Sequence, residues 1–242
     1  MRKRGRHIHD DDMEIVYEDE WLVVVDKPSG LLSMSTGKGI EDTAYSRLYD
    51  HVLSHKKHAS SGRVFIVHRL DRDTSGLLIF AKDHDTKIAL QENWDDAVLE
   101  RRYHAVLEGH IEDEGWIDTW LYENPKSMKV HCFPFDSKDN PDKPPRKGWV
   151  YASTHCKAVG HRIIEGREYT EVIFNLETGR KNQIRVHSQW IGHPIAGDRK
   201  YGAESNPFGR LALHAEGLSI IHPWTGKKMK FTSTFPRIFR KP

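Results

Sequence analysis

Val64-Phe65-Ile66-Val67-His68-Arg69-Leu70-Asp71-Arg72-Asp73-Thr74-Ser75-Gly76-Leu77-Leu78-Ile79-Phe80 reads as strand, polar loop, strand. Val64 to Val67 and Leu77 to Phe80 are short apolar runs rich in β-formers, and His68 to Ser75 lies between them. Five of the first eight residues from His68 ionise or hold charge. A corner between strands needs only an Asn-Gly or Asp-Gly pair, so this loop carries more chemistry than a turn requires. Strands on either side would hold it rigidly. Asp71 is therefore a candidate catalytic carboxylate, with Arg69 and Arg72 beside it suited to bind phosphate. The plainer alternative is that Asp71 or Asp73 caps a turn and the arginines are solvated.

The pattern continues outward. Glu14 to Tyr17 and Trp21 to Asp26 read as strands, the second a β-branched run that would be buried, and Lys27-Pro28-Ser29-Gly30 ends it as a turn. Residues 42–56 predict a helix with Asp42 as N-cap, and Asp83 is suited to cap a second helix reaching about Leu99. Tyr103–Leu107, Trp116–Leu121, Trp149–Ser153, Tyr169–Leu176, Leu211–Ile221 and Met229–Phe235 are further strands. The proline-rich stretch from Tyr122 to Lys147 is a long loop or pair of hairpins. A helix is expected from about Asn182 to Ile191, ended by Gly192. Many strands in succession with few helices indicate an α+β fold with a largely antiparallel, mixed sheet flanked by helices. We expect a tail at residues 1–12 and a single catalytic domain at 13–242.

The chain has 242 residues, 37% apolar, 30% charged and 10% aromatic, which describes a folded polar protein. No apolar run approaches the roughly 18–20 residues of a membrane span, and no signal-peptide core follows the basic start Met1-Arg2-Lys3-Arg4-Gly5-Arg6. Two cysteines, Cys132 and Cys156, exclude a disulfide scaffold and point to a reducing cytoplasm. Net charge is +2, but basic residues cluster at Arg180, Lys181, Arg185, Arg199 and Lys200. Such a stripe on a near-neutral protein suits a polyanion bound at one face.

A second informative stretch is Glu177-Thr178-Gly179-Arg180-Lys181-Asn182-Gln183-Ile184-Arg185-Val186-His187. A Thr-Gly turn opens a basic helix whose first backbone amides suit phosphate. An ordinary basic amphipathic helix fits the same residues. Gly192-His193-Pro194-Ile195-Ala196-Gly197-Asp198-Arg199-Lys200-Tyr201-Gly202 follows as a Gly/Pro-punctuated loop. His51, His55 and His58 form a stripe better read as surface than as zinc ligands, and Glu112-Asp113-Glu114 a solvated turn. Trp94, Trp116 and Trp120 are expected in the core.

Taken together, these stretches resemble the RluA-type family of RNA pseudouridine synthases. His68-Arg69-Leu70-Asp71 with Thr74-Ser75-Gly76-Leu77 resembles the family's catalytic motif. Asp26-Lys27-Pro28-Ser29-Gly30-Leu31 is similar to its amino-terminal signature, and Arg102-Tyr103-His104-Ala105 to the strand bearing the active-site tyrosine. Thr178-Gly179-Arg180 through His187, Gly192-His193-Pro194-Ile195, Gly197-Asp198 and Leu213-His214-Ala215 complete the resemblance, from about Val23 to Phe231. Two features depart from it. Asn182 stands where the family most often has His, and we expect Asn to keep the N-cap role. The second is that we expect no S4-type RNA-binding domain of the kind many relatives carry, as in the family's small form.

The resemblance implies the pseudouridine synthase fold, with an active-site cleft across the sheet, and the cofactor-free isomerisation of a uridine in ribosomal or transfer RNA. It implies Asp71 as the essential carboxylate, Arg185 as its partner and Tyr103 as the group that stacks under uracil and serves in proton transfer. Ile184 would form an apolar wall, and Arg69 would fill the space left by a flipped base. Arg180, Lys181, Asn182, Arg199 and Lys200 would contact the RNA, the basic ones at phosphates. The implied partner is RNA, with no metal, no membrane and a monomeric state. The alternatives are an RNA-binding or ribosome-assembly protein that keeps the fold without the reaction, and a hydrolase of nucleosides or glycosides, for which Asp73 is the one second carboxylate near Asp71.

Overall fold

The computed structural model describes residues 12–35, 37, 41–54, 63–112 and 114–240, with Ser54 described by its backbone alone. The basic tail, His55, His58 and Asp113 lie outside these residues. The chain divides into two compact units. The first holds the described residues up to Ala97 together with Ile221–Phe231, and the second holds Val98–Ile220 together with the described residues from Thr232 onward.

In the first unit, β1 (Glu14–Glu18), β2 (Leu22–Lys27) and β4 (Ser75–Ala81) pair antiparallel in that order, and the short β3 (Phe65–Ile66) also pairs with β4. Leu22, Val23, Val24 and Val25 are all fully buried, as the unbroken β-branched run requires of a strand covered on both faces. Leu77 to Ala81 are buried beside them. Helix α1 (Ala44–Ser54) contributes Leu48 and Val52 to the buried set.

Two helix readings need correction. The cap of α1 is Thr43, not Asp42. The Thr43 hydroxyl accepts from the Ser46 amide (3.0 Å) while the Ser46 hydroxyl accepts from the Thr43 amide (2.9 Å), a reciprocal capping box. Asp42 instead pairs with Arg47 across the surface. Asp83 does cap α2 (His84–Glu92), accepting from the Thr86 amide at 2.8 Å. That helix stops at Asn93, whose φ of −109° and ψ of 29° leave the helical region. A single turn, α3 (Trp94–Ala97), follows, and Val98 and Leu99 already belong to β5. A β-branched residue and a polar break outweighed the apolar spacing that suggested one long helix.

The second unit is built on a sheet in the order β10-β5-β9-β8-β6-β7. The strands are β5 (Val98–Glu108), β6 (Glu114–Glu123), β7 (Val130–Pro134), β8 (Trp149–Ile164), β9 (Arg167–Leu176) and β10 (Leu213–Ile221), and each neighbouring pair is antiparallel. β8 runs for 16 residues, far past the expected Ser153. Its outer half alternates exposed Lys157, Val159, His161 and Ile163 with more covered residues, and its pairing with β9 shifts register at Ala158/Gly160. Glu165 and Gly166, both at positive φ, close the tight β8–β9 turn. The stretch 122–147 supplies β7, which forms a hairpin with β6. Helix α4 (Gln183–Trp190) ends before Gly192, whose φ is +83°. Its Ile184 joins Ala105, Val106, Val172, Phe174, Ile195 and Leu213 in the unit's main core. Strand β11 (Lys228–Thr232) is the last. The fold is α+β, with antiparallel ladders in both units. No helix among the described residues is long and apolar enough to cross a membrane.

Candidate functional site

The loop that carries Asp71 is held by its backbone. Lys27 at the end of β2 is fully buried, and its ammonium donates to the carbonyls of Pro28 (2.9 Å), Leu31 (2.8 Å) and Arg72 (3.0 Å). The Gly30 amide donates to the same Arg72 carbonyl at 2.9 Å. The Ser29 hydroxyl donates to the Asp73 carbonyl (2.6 Å). The Ser33 hydroxyl donates to the Leu70 carbonyl (2.8 Å) and accepts from the Leu70 amide (3.1 Å). Residues 27–33 thus form a cradle for residues 70–73, which explains why the two motifs occur together. An ammonium with three donors satisfies buried carbonyls that would otherwise be costly. Leu70 is buried, Asp71 is half-buried, and Arg69 and Arg72 are exposed. Arg72 pairs with Asp73 at 2.9 Å. His68 turns inward: its Nε2 accepts from the Ile79 amide (3.2 Å) and its ring lies against Trp94. Accepting there leaves the proton of neutral His68 on Nδ1.

In the second unit the polar residues of the Thr178–His187 stretch anchor α4 to the sheet. Gln183 Oε1 accepts from the Thr178 hydroxyl (2.8 Å) and the Arg180 amide (2.9 Å), and its Nε2 donates to Ser153 O (3.0 Å) and Thr154 Oγ1 (2.8 Å). His187 is fully buried between the hydroxyls of Thr119 and Thr154, each 2.9 Å from a ring nitrogen. Burial disfavours its charged form and lowers its pKa to about 4.

Arg185 projects from this anchored helix. Its Nε and one terminal nitrogen donate to the two oxygens of Asp198 at 2.7 and 2.8 Å, and the other terminal nitrogen donates to Asn182 Oδ1 at 3.2 Å. The guanidinium carbon lies 5.1 Å from the centre of the Tyr201 ring. Asn182 Nδ2 donates to the Tyr201 hydroxyl (3.0 Å), which also accepts from the Val130 amide (3.2 Å). Burial raises the Tyr201 pKa above its ordinary value. The expected cap role of Asn182 is not what the structure has. Asn182 occupies the N-cap position in left-handed backbone, φ 54°, with no side-chain cap hydrogen bond. Asn tolerates that conformation, and its amide is committed to Arg185 and Tyr201 instead.

Tyr103 is half-buried on β5 and packs against the main core of the second unit. Ile184 is 4% exposed in that core. Arg180, Lys181, Arg199 and Lys200 are exposed. Three of them also make protein contacts: Arg180 with Tyr151 O (3.0 Å), Lys181 with Glu123, and Lys200 with Met128 O (2.9 Å). Asp71 and Arg69 thus belong to the first unit, and the remaining candidates to the second.

Several other expectations resolve simply. Trp120 is in the core, Trp94 is half-buried, and Trp116 is 56% exposed, so its placement in the core was wrong. Near the edge of β6 it rests against His155 on the neighbouring strand. His51 pairs with Glu18, and Glu114 pairs with Lys157 from within β6 rather than from a turn. Burial pushes the Cys132 thiol up to about 11, far from a reactive thiolate. Among the described residues no group of three or more His, Cys, Asp or Glu is arranged to hold a metal ion. Sequence reasoning missed Lys27 as the loop's anchor and Asp198 as the arginine's partner. A lysine before Pro-Ser-Gly at the end of a buried strand was a signal for the first.

Comparison with known proteins agrees with the resemblance. The family model described as RNA pseudouridylate synthase matches residues 21–190. The chain is 34% identical to the ribosomal large subunit pseudouridine synthase D of Zymomonas mobilis, over 93% of this chain and 70% of that one. It is 33% identical to an uncharacterized RNA pseudouridine synthase of Bacillus subtilis, YjbO, over 95% and 75%. It is 33% identical to the tRNA pseudouridine synthase C of Pectobacterium carotovorum, over 90% and 57%. Human RNA Pseudouridylate Synthase Domain Containing 4 has the same fold, with a TM-score of 0.72 at 22% identity, covering 94% of this chain and 90% of that one.

Proposed function

The chain belongs to the RluA-type family of RNA pseudouridine synthases, and from that membership we propose that residues 13–242 act as one catalytic domain that converts a uridine in structured ribosomal or transfer RNA to pseudouridine through Asp71. The reaction is an isomerisation. The bond from ribose C1′ to uracil N1 breaks, the base rotates, a bond from C1′ to C5 forms, C5 loses a proton and N1 gains one. Nothing is oxidised, reduced or lost. Asp71 is the ionised carboxylate at the reacting centre. Covalent addition and assistance to cleavage and deprotonation both need that form.

Arg185, its guanidinium oriented by Asp198 and Asn182, is the cation that acts with Asp71 in the reaction. Tyr103 stacks under uracil and relays the C5 proton. Ile184 keeps water from the sugar. Arg69, exposed beside Asp71, fills the space left by the extruded uridine, and unstacking is easiest in a loop. Arg180, Lys181, Arg199 and Lys200 engage phosphates, while the buried Asn182 serves through Arg185. We place this work in the cytoplasm, by a monomer.

The observation that supports this reading most is the cradle around the loop: side chains and an amide from residues 27–33 hold the backbone on both sides of Asp71. A turn that merely reversed the chain would not need a buried lysine. The test is a map of pseudouridine in cellular RNA with and without this protein. At least one site in ribosomal or transfer RNA should revert to uridine in its absence. An unchanged map, or release of free uracil from RNA by the purified protein, would overturn the proposal.

A further inference from the structure

Asp198 carries a side chain that is 1% exposed, and both its oxygens are given to one cation, the 11% exposed Arg185. Taking such a pair out of water gains little stability over an apolar pair of the same volume. What the arrangement does supply is direction. A bidentate carboxylate fixes the plane of a guanidinium, which an otherwise flexible side chain does not keep by itself.

Three further features serve the same end. Asn182, three residues before Arg185 at the start of α4, accepts from a terminal nitrogen at 3.2 Å. Tyr201 lies under the guanidinium, and its hydroxyl is fixed by Asn182 and the Val130 amide. Gly197, immediately before Asp198, has a φ of +83°, and a Cβ there would stand 2.3 Å from the Arg210 carbonyl oxygen. Only glycine lets the chain pass there and deliver Asp198 to the arginine.

We propose that Asp198 is a positioning residue for the reaction, holding the Arg185 guanidinium in its working orientation, with Asn182 and Tyr201 closing the cage. This rests on the catalytic role given to Arg185 above. A guanidinium turned by one rotamer step would still be charged but would no longer meet its partner in line, and geometric errors of about 1 Å cost on the order of 100-fold in rate.

The experiment is a double-mutant cycle on single-turnover pseudouridine formation, with RNA affinity measured alongside, for wild type, Asp198→Asn, Arg185→Lys and the double variant. Asp198→Asn should slow turnover about 100-fold with RNA affinity within about twofold of wild type. In the Arg185→Lys background, where no planar fork remains to be aimed, the same substitution should cost less than about threefold. A wild-type rate for Asp198→Asn, or an equal loss in both backgrounds, overturns the proposal. Should Asp198→Asn fail to fold, Tyr201→Phe carries the test, with an expected loss of about tenfold that vanishes in the Arg185→Lys background. A wild-type rate for that variant overturns the cage. If wild type forms no pseudouridine, or Arg185→Lys is fully active, the fault lies in the functional reading and not in the role of Asp198.

Discussion

The loop at residues 70–73 carries Asp71 and the helix beginning at Gln183 carries Arg185, and the two side chains are fixed by different chemistry. In the first unit the anchors are Lys27, Ser29 and Ser33, and all of them grip backbone. In the second unit the anchors are Asp198, Asn182 and Tyr201, and they grip the functional side chain itself or its neighbours. A carboxylate one methylene from the backbone is largely aimed once its backbone is aimed. A guanidinium at the end of a long flexible chain is not, and needs a partner at its tip. Lys27 and Asp198 are both buried charges, but the lysine holds the shape of a loop while the aspartate holds the direction of a cation.

This contrast separates the two units in ways that measurement can break or sharpen. The largest effect should come from acid, and in the second unit. His187 and His214 are buried there, with pKa values lowered by desolvation to about 4 and about 3. An unfolded chain takes up those protons near pH 6.5 while the folded one resists, so stability rises with pH across this window. It is fully present above about 6.5 and is lost as pH falls toward 4, by about 6 kcal/mol for the two groups together. Urea denaturation at pH 7 and pH 4 should show that loss, and replacing both histidines with Gln should flatten it. A profile that stays steep in the double variant would remove these groups as its cause.

Next comes Lys27→Met, which leaves three carbonyls of the loop and its cradle without that donor; we expect about 4 kcal/mol of destabilisation by denaturant titration. A loss below about 1 kcal/mol would mean that the lysine is not the loop's main anchor. Gln183→Ala, which removes two hydrogen bonds to β8 and two to the turn before α4, should cost about 3 kcal/mol. The smallest change in stability belongs to Ser33→Ala, about 1 kcal/mol. Its turnover should nonetheless fall by about tenfold, because the hydroxyl holds Leu70 beside Asp71. Unchanged turnover in that variant would show that the loop keeps its geometry without the cradle.

Much of this organisation is written locally. The buried run at Leu22–Val25, the Asp83 cap, the end of α4 at Gly192 and the strands around Asp71 follow from periodicity and cap chemistry over a few residues. The misjudged parts depend on tertiary partners. Thr43 took the cap of α1 because Ser46 answers it, while Asp42 had Arg47 to pair with. β8 gains its length from pairing with β6 and β9 on either side, which no window of its own residues reveals. At the site, Asp71 stands out because its loop is over-charged for a turn. Asp198 does not, because a Gly-Asp pair 13 residues after Arg185 reads as a turn until the fold brings it back to the helix.

Asp71→Asn is the most direct test of the central claim, because it keeps the shape of the side chain and removes its charge and nucleophilicity. Purified variant and wild type should be incubated with the RNA whose site disappears in the mapping experiment, measuring pseudouridine formed and RNA bound. The variant should bind RNA within about twofold of wild type and form product at least about 1,000-fold more slowly. Product at a rate near that of wild type would contradict the assignment of the reaction to the carboxylate at position 71.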